Sequence, residues 1–301
     1  MKRLILLLNF ACFAFSLHAQ QNVIDTTLKF YQGYQEKKWV VLKKADTTSS
    51  YTFGYIYIDT LDGFIFQKEG TFKVGKKNRY IRDSGNLKKH FDRTVLYPPR
   101  SFMMGSILLP RPMASISDKH FKELKIQAEP DWVKPYYNYT DTLAYNYRLA
   151  CIYGNASYTY DAIDYLQKIY KVNPHYIGVK QKLEFGYYLG SQGVELKLAW
   201  AYNSLDQSDK AITILNAAIK HDAKNPFFFY VLGWSYELQK NGEAAVNTYK
   251  QGLQLMGTET QLKANLAYGI SNSYQSLHRL EEAKKWRAMG DQYNPHPGRV
   301  D

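Results

Sequence analysis

The sequence predicts a two-domain α+β fold, in which a small antiparallel β-rich domain precedes an all-α helical solenoid. Three observations carry this prediction. Short runs of aromatic and β-branched residues, separated by Gly, Asp and Asn, occupy residues 37–127. After a proline-interrupted linker at 131–142, the apolar period lengthens from two to about 3.6 residues. Residues 192–225 and 226–259 then align with each other, position by position, without a gap.

The first residues are typical of a secretory signal peptide. Lys2 and Arg3 precede an apolar run that ends at Phe15, and Ala19 is followed by two glutamines. A positive, an apolar and a small-residue region in this order predict a signal peptide at 1–19 and an exported, periplasmic or secreted chain. The apolar run is about half as long as a membrane-spanning helix. We therefore expect no transmembrane segment in the mature chain.

The two cysteines limit the covalent chemistry of the chain. A lipoprotein anchor through Cys12 is not expected, because the residues before it fit that motif poorly. Removal of the signal peptide would leave Cys151 alone, so a disulfide within one chain is excluded. We expect Cys151 to be a small buried residue of a helix.

The positive charge of the chain belongs mainly to its first half. The full sequence carries a formal charge of +12. Residues 20–130 contain 19 Lys and Arg against 11 Asp and Glu, whereas residues 131–301 contain 18 against 16. The predicted β-rich domain at 20–130 is therefore the basic part of the molecule.

Within this domain the pattern predicts an antiparallel meander. Apolar runs at 51–59, 64–66, 71–74 and 79–81 alternate with turn residues at 61–63, 69–70 and 75–78. Runs at 94–97, 106–109 and 124–127 are candidates for further strands, but four prolines interrupt this region. Residues 22–34 are compatible with either a helix or a strand.

The 34-residue repeat defines the second half. Eight aligned positions keep their size class, small against small and large apolar against large apolar, which favours two short antiparallel helices in close contact in each repeat. The aligned pairs are Leu198/Leu232, Ala199/Gly233, Trp200/Trp234, Tyr202/Tyr236, Ala211/Ala245, Leu215/Tyr249, Ala218/Gly252 and Ile219/Leu253. Asn225 and Asn241, before Pro and Gly, mark helix boundaries.

This pattern resembles the tetratricopeptide repeat family, and specifically its exported bacterial members. The resemblance covers about half of the chain and places a solenoid at 143–297, with repeats at about 143–176, 192–225, 226–259 and 264–297. The last repeat fits less well, because Arg287 occupies a position that is normally bulky and apolar. Residues 177–191 interrupt the pattern and would either lengthen a helix or form an irregular turn.

The resemblance implies a concave groove, lined by the first helix of each repeat, that takes a peptide or helix of a partner protein. The groove positions that it implies are rich in aromatic and amide side chains: Tyr147, Cys151, Asn155, Leu196, Trp200, Asn203, Tyr230, Trp234, Glu237, Tyr268, Asn272 and Gln275. Aromatic anchors dominate binding energy in interfaces. The alternative is that Trp200 and Trp234 only pack consecutive repeats together.

A second hypothesis concerns the basic residues of the β-rich domain. Residues 68–100 contain ten Lys and Arg, interleaved with aromatic residues. Such a patch could bind an anionic envelope polymer, either a glycan or lipid head groups; nucleic acid is not expected for an exported chain. The alternative is a solvated sheet edge whose charge prevents edge-to-edge association. The members of the patch are Lys73, Lys76, Lys77, Arg79, Arg82, Lys88, Lys89 and Arg93.

No motif for catalysis, metal binding or cofactor binding is present, so we expect a non-enzymatic protein without a cofactor. Histidines and cysteines do not occur at metal-ligand spacings, and neither a phosphate-binding loop nor a nucleophile elbow is found. An enzyme with its site in the β-rich domain would have only His90 and His120 as general bases. The sequence therefore favours an exported adaptor or scaffold of the cell envelope.

Overall fold

The structure is a computed structural model. It describes residues 28–30, 35–45, 47–84, 93–97, 112–138, 142–178, 193–257 and 260–294. The predicted signal peptide, the candidate strand at 106–109, Lys88, Lys89, His90 and most of the interruption at 177–191 lie outside the described residues.

An antiparallel sheet forms the first half, as the sequence predicts. Its described strands are β1 (Lys38–Leu42), β2 (Tyr51–Asp59), β3 (Gly63–Val74), β4 (Tyr80–Arg82), β5 (Arg93–Tyr97) and β6 (Met113–Ser115). Their spatial order is β4-β3-β2-β1-β6, and β5 pairs with β3 beyond the stretch that β4 covers.

Strand β2 lies at the centre and is buried on both faces. Side chains of a strand alternate between faces, and in β2 both alternating sets are apolar. Tyr55 and Tyr57 belong to one buried cluster, whereas Ile56 and Ile58 belong to another on the opposite face. The sheet is therefore covered on both sides, unlike most antiparallel sheets.

Two local predictions in this half are wrong. Glu69 and Gly70, predicted as a turn, lie inside the continuous strand β3. The register with β2 shifts between Phe53 and Gly54, which leaves Glu69 of β3 without a paired residue. Glu69 therefore forms a β-bulge, and the chain does not reverse direction here. Residues 124–127 are not a strand, because a short helix α1 (Phe121–Leu124) ends there with Lys125 in the left-handed conformation.

The segment predicted as a linker packs on the sheet. Residues Asp131–Tyr137 form a 3₁₀ helix. Val133 is fully buried, and the ring of Tyr136 lies 4.6 Å from that of Tyr57. Before this helix, the carbonyl of Gln127 accepts a hydrogen bond of 2.8 Å from the indole of Trp39. Residues 116–137 thus cover one face of the sheet.

Eight helices follow in the described part of the chain, as four antiparallel pairs. Pair 1 is α2 (Thr142–Asn155) and α3 (Thr159–Val172), pair 2 is α4 (Gly193–Ser204) and α5 (Ser208–His221), pair 3 is α6 (Pro226–Leu238) and α7 (Gly242–Gln254), and pair 4 is α8 (Thr260–Ser276) and α9 (Leu280–Tyr293). The predicted boundary residues Asn225 and Asn241 cap α6 and α7 through their side chains.

The same turn joins the two helices of every pair. In each turn one residue adopts a left-handed conformation, and the next residue donates its N–H to the carbonyl of a tyrosine five positions earlier. This hydrogen bond spans six residues and satisfies a backbone carbonyl at the end of the first helix. The left-handed residues are Ser157, Asp206, Lys240 and His278, and the accepting tyrosines are Tyr153, Tyr202, Tyr236 and Tyr274.

The second face of the sheet packs directly against pair 1. One buried cluster contains Ile56, Ile58 and Phe64 from the strands together with Leu149 and Ile152 from α2. The sheet and the first helix pair therefore share a hydrophobic core.

A polar contact ties the same junction. The hydroxyls of Tyr137 and Tyr153 both donate to the carboxylate of Glu36, and Tyr137 also accepts from the Ile58 backbone N–H at 3.1 Å. The segment before β1, the 3₁₀ helix and α2 are thereby fixed to one another.

Candidate partner-binding groove

The first helices of pairs 2, 3 and 4 lie side by side and are joined by equivalent polar contacts. Asn203 of α4 donates through Nδ2 to Ser235 Oγ of α6 at 2.9 Å. One pair further on, a carboxylate oxygen of Glu237 lies 2.8 Å from Ser273 Oγ of α8. The repeated contact shows that α4, α6 and α8 stack in the same relative orientation, so their equivalent side chains share one face.

An aromatic cluster lies on this face. The rings of Trp200 and Trp234 are 4.7 Å apart, and the Tyr230 ring is 6.4 Å from that of Trp200. All three side chains are partly exposed, although they also contact the core of pairs 2 and 3. We refer to Trp200, Tyr230 and Trp234 as the aromatic cluster. It offers a partner large apolar surfaces with polar edges.

Three predicted groove residues lie in the interior instead. Tyr147, Leu196 and Asn203 are at most 4% exposed. Leu196 and Tyr147 belong to the main helical core. Asn203 uses its amide between α4 and α6. These side chains stabilise the stacking and present little surface to a partner.

Glu237 is half-buried on the same face. Its carboxylate accepts a hydrogen bond of 2.8 Å from the Ser273 hydroxyl of α8 and one of 3.0 Å from the Tyr249 hydroxyl of α7. Burial raises the pKa of the Glu237 carboxyl, and these two contacts offset only part of that effect. No Lys or Arg in the described segments forms an ion pair with it.

The remaining groove positions are more accessible. Asn272 and Gln275 of α8 are exposed, while Cys151 and Asn155 of α2 are partly buried. Tyr268 is partly buried, and its hydroxyl donates to Asp291 at 2.9 Å. The accessible face of the stack therefore has aromatic side chains at its centre and amides on α8.

The comparison with known families identifies one repeat. Residues 194–224, which span α4 and α5, match the family model described as the tetratricopeptide repeat. The matched segment is one helix pair of the four, so the family model covers pair 2. The other three pairs have the same turn and, at the equivalent place, the same tyrosine, so they share the geometry of pair 2.

Several solved structures are similar to part of this chain. A crystal structure of the MamA protein is 16% identical and covers 58% of this chain and 79% of its own, with a TM-score of 0.41. MamA from Desulfovibrio magneticus RS-1 is 11% identical and covers 58% of this chain and 82% of its own, with a TM-score of 0.41. A thermophilic tetratricopeptide repeat protein of Thermus thermophilus, TTC0263, is 19% identical and covers 50% of this chain and 73% of its own, with a TM-score of 0.40.

Identities and TM-scores this low carry no argument about function. No curated protein matches the chain. The assignment of the array rests on the family model and on the repeated turn geometry. Tetratricopeptide repeats generally serve as protein-interaction scaffolds, and the match of residues 194–224 supports such a role.

The structure divides the predicted basic patch. Lys73 at the end of β3 and Lys76, Lys77 and Arg79 in the β3–β4 connection are exposed. Of these four residues, Arg79 lines a surface cavity of about 550 Å³. The remaining described arginines have other partners.

Arg82 pairs with Glu69 at 3.0 Å and donates to the Leu124 carbonyl at 2.7 Å. Arg93 lies on β5 and pairs with Asp59 and Asp62 at 2.5 and 2.8 Å. A polymer that binds here would meet the β3–β4 connection first, and this second hypothesis stays a prediction.

His120 is buried in the sheet region. Its ring is 5% exposed, stacks on Tyr80 at 3.7 Å and approaches the Glu123 carboxylate through Nδ1 at 2.7 Å. This hydrogen bond and that from the Tyr80 backbone N–H lower the pKa of Glu123, against the effect of its desolvation. Within the described ranges there is no cluster of three metal-ligating side chains, and no helix is both long and apolar enough to cross a membrane.

The polar contacts between first helices were not among the predictions from the sequence. Ser235 and Ser273 occupy equivalent positions in pairs 3 and 4, three residues after Leu232 and Ile270. A serine recurring at a buried position of an apolar helix was the available signal, because a buried hydroxyl needs a hydrogen-bonding partner.

Proposed function

We propose that the protein is an exported adaptor or scaffold of the cell envelope, which binds a peptide or helix of a partner protein in the concave groove of its repeat array. The aromatic cluster is the observation that carries this proposal. The sequence of residues 1–19 supports export, and the array supports a protein partner.

The aromatic cluster is suited to anchor a partner. Its rings are held by the core beneath them, so little conformational entropy is lost when a partner covers them. Tyr and Trp are enriched among the few residues that dominate binding energy. The nearby exposed amides of Asn272 and Gln275 can both donate to and accept from a peptide backbone.

Replacing both tryptophans, Trp200→Ala with Trp234→Ala, is expected to weaken partner binding by about 30-fold or more, because a hot-spot side chain contributes about 2 kcal/mol or more. Partners are first captured from an envelope fraction with the full chain. The affinity of each captured protein is then measured by calorimetry for the wild type and the double variant.

The matched control is Trp132→Ala, since Trp132 is 39% exposed but packs on the sheet face, against Tyr55 and Tyr57. It should leave both affinity and helical circular dichroism unchanged. Loss of helical signal in the double variant would assign both tryptophans to packing. A folded double variant that binds with wild-type affinity would disprove the groove proposal.

Export makes a separate prediction about the mature N-terminus. Expressed in a bacterium with a periplasm, the chain should be recovered from the periplasmic fraction with Gln20 as its first residue, as determined by intact mass. Replacing Lys2 and Arg3 by Glu should retain the uncleaved precursor inside the cell. Wild-type chain that keeps residues 1–19 in the cytoplasm would contradict export without affecting the groove proposal.

A further inference from the structure

The outer edge of strand β4 carries main-chain groups that the sheet does not use. Among the described strands, β4 pairs only with β3. In an antiparallel pair, hydrogen-bonded residue pairs alternate with pairs whose N–H and C=O groups point away from each other. The Gly75 N–H donates to the Arg79 carbonyl at 2.8 Å, and the Asp83 N–H donates to the Thr71 carbonyl at 2.9 Å. The alternation between these two contacts turns the N–H and C=O of Arg82 outward, away from β3.

The two outward-facing amides of β4 have different surroundings. The Tyr80 N–H donates to the Glu123 carboxylate of α1 at 2.8 Å, which agrees with the alternation. In the described segments, no group forms a hydrogen bond with the N–H or C=O of Arg82. The Arg82 guanidinium is occupied, because it pairs with Glu69 and donates to the Leu124 carbonyl. The main chain of Arg82 is therefore open to an external partner.

A surface cavity of about 550 Å³ follows this edge. Every residue from 79 to 84 lines it, and Glu123 and Lys125 line it from the α1 segment. The volume is in the range of ligand pockets, about 300–1,000 Å³. A lining made of consecutive strand residues suits an elongated ligand that runs along the strand.

The surroundings of the cavity carry more available positive than negative charge. The exposed lysines near the edge that form no ion pair in the described part of the chain are Lys73, Lys76, Lys77 and Lys125. By contrast, the Glu123 carboxylate is held by the Tyr80 N–H and, at 2.7 Å, by Nδ1 of His120. The Asp83 carboxylate accepts a hydrogen bond of 2.7 Å from the Thr71 hydroxyl. The edge therefore favours a ligand that brings negative charge.

We propose that the outer edge of β4 binds an extended acidic segment of another protein, which joins the sheet as an additional strand. The main chain of this segment exchanges hydrogen bonds with Arg82, as in other complexes that form by strand addition. Its carboxylates lie among the lysines. Ile81 points to the opposite face from Arg82 and is 55% exposed, so it offers an apolar contact to a side chain of the added strand. The site shares no residue with the aromatic cluster.

The charge and the main-chain groups together select this occupant. A second copy of the chain would bring lysines against lysines, and lysines on an edge strand generally prevent such pairing. A sulfated glycan or a lipid head group matches the charge but has no peptide main chain to pair with the N–H and C=O of Arg82. An acidic strand satisfies both features.

The probe is a peptide of about eight residues, within the usual length of a strand, with blocked ends and alternating glutamate and threonine. Its affinity for the full chain is measured by calorimetry at low ionic strength. The same peptide with every amide methylated keeps its carboxylates but cannot donate a main-chain hydrogen bond. It should bind about tenfold more weakly or worse. A peptide with lysine in place of glutamate should not bind.

Hydrogen exchange locates the bound probe on the chain. The Arg82 amide gains a hydrogen bond in the complex, so exchange in residues 79–84 should slow by about tenfold or more at saturation. Exchange in α9, at the other end of the array, should not change.

A charge reversal at the cavity has a matched control. Lys125→Glu should weaken binding of the probe by roughly three- to tenfold at low ionic strength, because an exposed attraction becomes a repulsion. Lys285→Glu makes the same change in net charge at an exposed position of α9 and should leave the affinity unchanged. Circular dichroism should be that of the wild type for both variants.

Three results would overturn the edge site. Equal affinity for the methylated peptide, or binding without protection of residues 79–84, would mean that the surface only attracts anions. Dextran sulfate or vesicles of phosphatidylglycerol should then bind as well as the probe, in favour of the anionic polymer. Failure of the probe to bind at about 1 mM would mean that the lysines only prevent edge association. None of these results bears on the groove, which is tested with captured partners and tryptophan variants.

Discussion

Replacing Phe64 with alanine is expected to lower the free energy of unfolding of the whole chain by about 3–5 kcal/mol, the usual cost of deleting a buried aromatic side chain. Phe64 is on β3 and fully buried. Its ring lies 5.6 Å from Tyr153 of α2 and 5.8 Å from Tyr158 at the start of α3. The cavity would therefore open between the sheet and the first repeat.

This variant tests whether the two halves fold as one unit. A shared core predicts a single cooperative transition, in which strands and helices unfold together. Denaturant titrations followed by far-ultraviolet circular dichroism report the helices. Hydrogen exchange of peptides from β2 and β3 reports the sheet, and both should shift by the same free energy in the Phe64→Ala chain.

The matched control is Tyr160→Ala, an aromatic truncation at a side chain that is 69% exposed on α3. Its effect should stay within about 0.5 kcal/mol, as for most surface substitutions. If the sheet of Phe64→Ala opens at a denaturant concentration where pair 1 is still fully protected, the halves are independent domains and the shared core contributes little.

The packing of the sheet against pair 1 also explains how the first repeat of the array is covered. Each repeat buries its apolar face against a neighbour, and the terminal repeats of such arrays need a cap. Pair 1 has no preceding repeat among the described residues; instead, Leu149, Ile152 and Ala156 are covered by the sheet. The sheet thus caps the array, and a fragment that began at residue 131 would expose this face. Binding experiments therefore call for the full chain.

The sequence was sufficient to predict the repeat architecture for a physical reason. Helices in close contact need small residues where they cross, and such residues recur 34 positions apart, as Ala199 with Gly233 and Ala211 with Ala245. The docking of the sheet has no such periodic signature. Val133 and Tyr137 lie in a segment with two prolines, which resembles a linker until the sheet that covers it is known.

The bulge in β3 shows the same limit at a smaller scale. Glu69 and Gly70 have the composition of a turn, and only the pairing of Phe53 and Gly54 with the neighbouring strand reveals that the strand continues. Turn propensity is local, whereas strand register depends on residues distant in sequence.

The predicted groove positions differ in accessibility, and the spacing in the sequence does not indicate which of them are exposed. The resemblance selects one set of positions on the first helices, and it contains both Trp200, which is partly exposed, and Leu196, which is 2% exposed. Which of them reaches the surface depends on the size of neighbouring side chains. Asn203 is drawn inward because Ser235 provides a partner, a contact that spacing alone does not reveal.

Replacing Gly233 with alanine is expected to destabilise the chain by about 1–3 kcal/mol, as overpacking of a core does, despite the roughly 1 kcal/mol by which alanine favours a helix. A Cβ at Gly233 would lie 2.5 Å from the Tyr249 ring. That ring is 1% exposed and has Gly269 on its other side, where a Cβ would come within 2.6 Å. The ring therefore has no room to move.

The control glycine is Gly257, which lies outside the helices and whose added Cβ would meet nothing within 4 Å. Gly257→Ala should be neutral or stabilise the chain by up to about 1 kcal/mol, through the entropy of the unfolded state. Equal destabilisation by both substitutions would mean that the contact with Tyr249 is not the cause.

Pair 2 shows how the same space can be filled differently. There Ala199 replaces Gly233, and the buried Leu215 replaces Tyr249. A smaller side chain on the second helix thus accompanies a larger one on the first. In the Tyr249→Leu background, the change in the free energy of unfolding caused by Gly233→Ala should therefore fall to within about 0.5 kcal/mol of zero or change sign. A double-mutant cycle of denaturant titrations measures this interaction between the two positions directly. Additive costs would show that the two positions tolerate size independently, and that the pairing of small and large residues in the repeats does not arise from this contact.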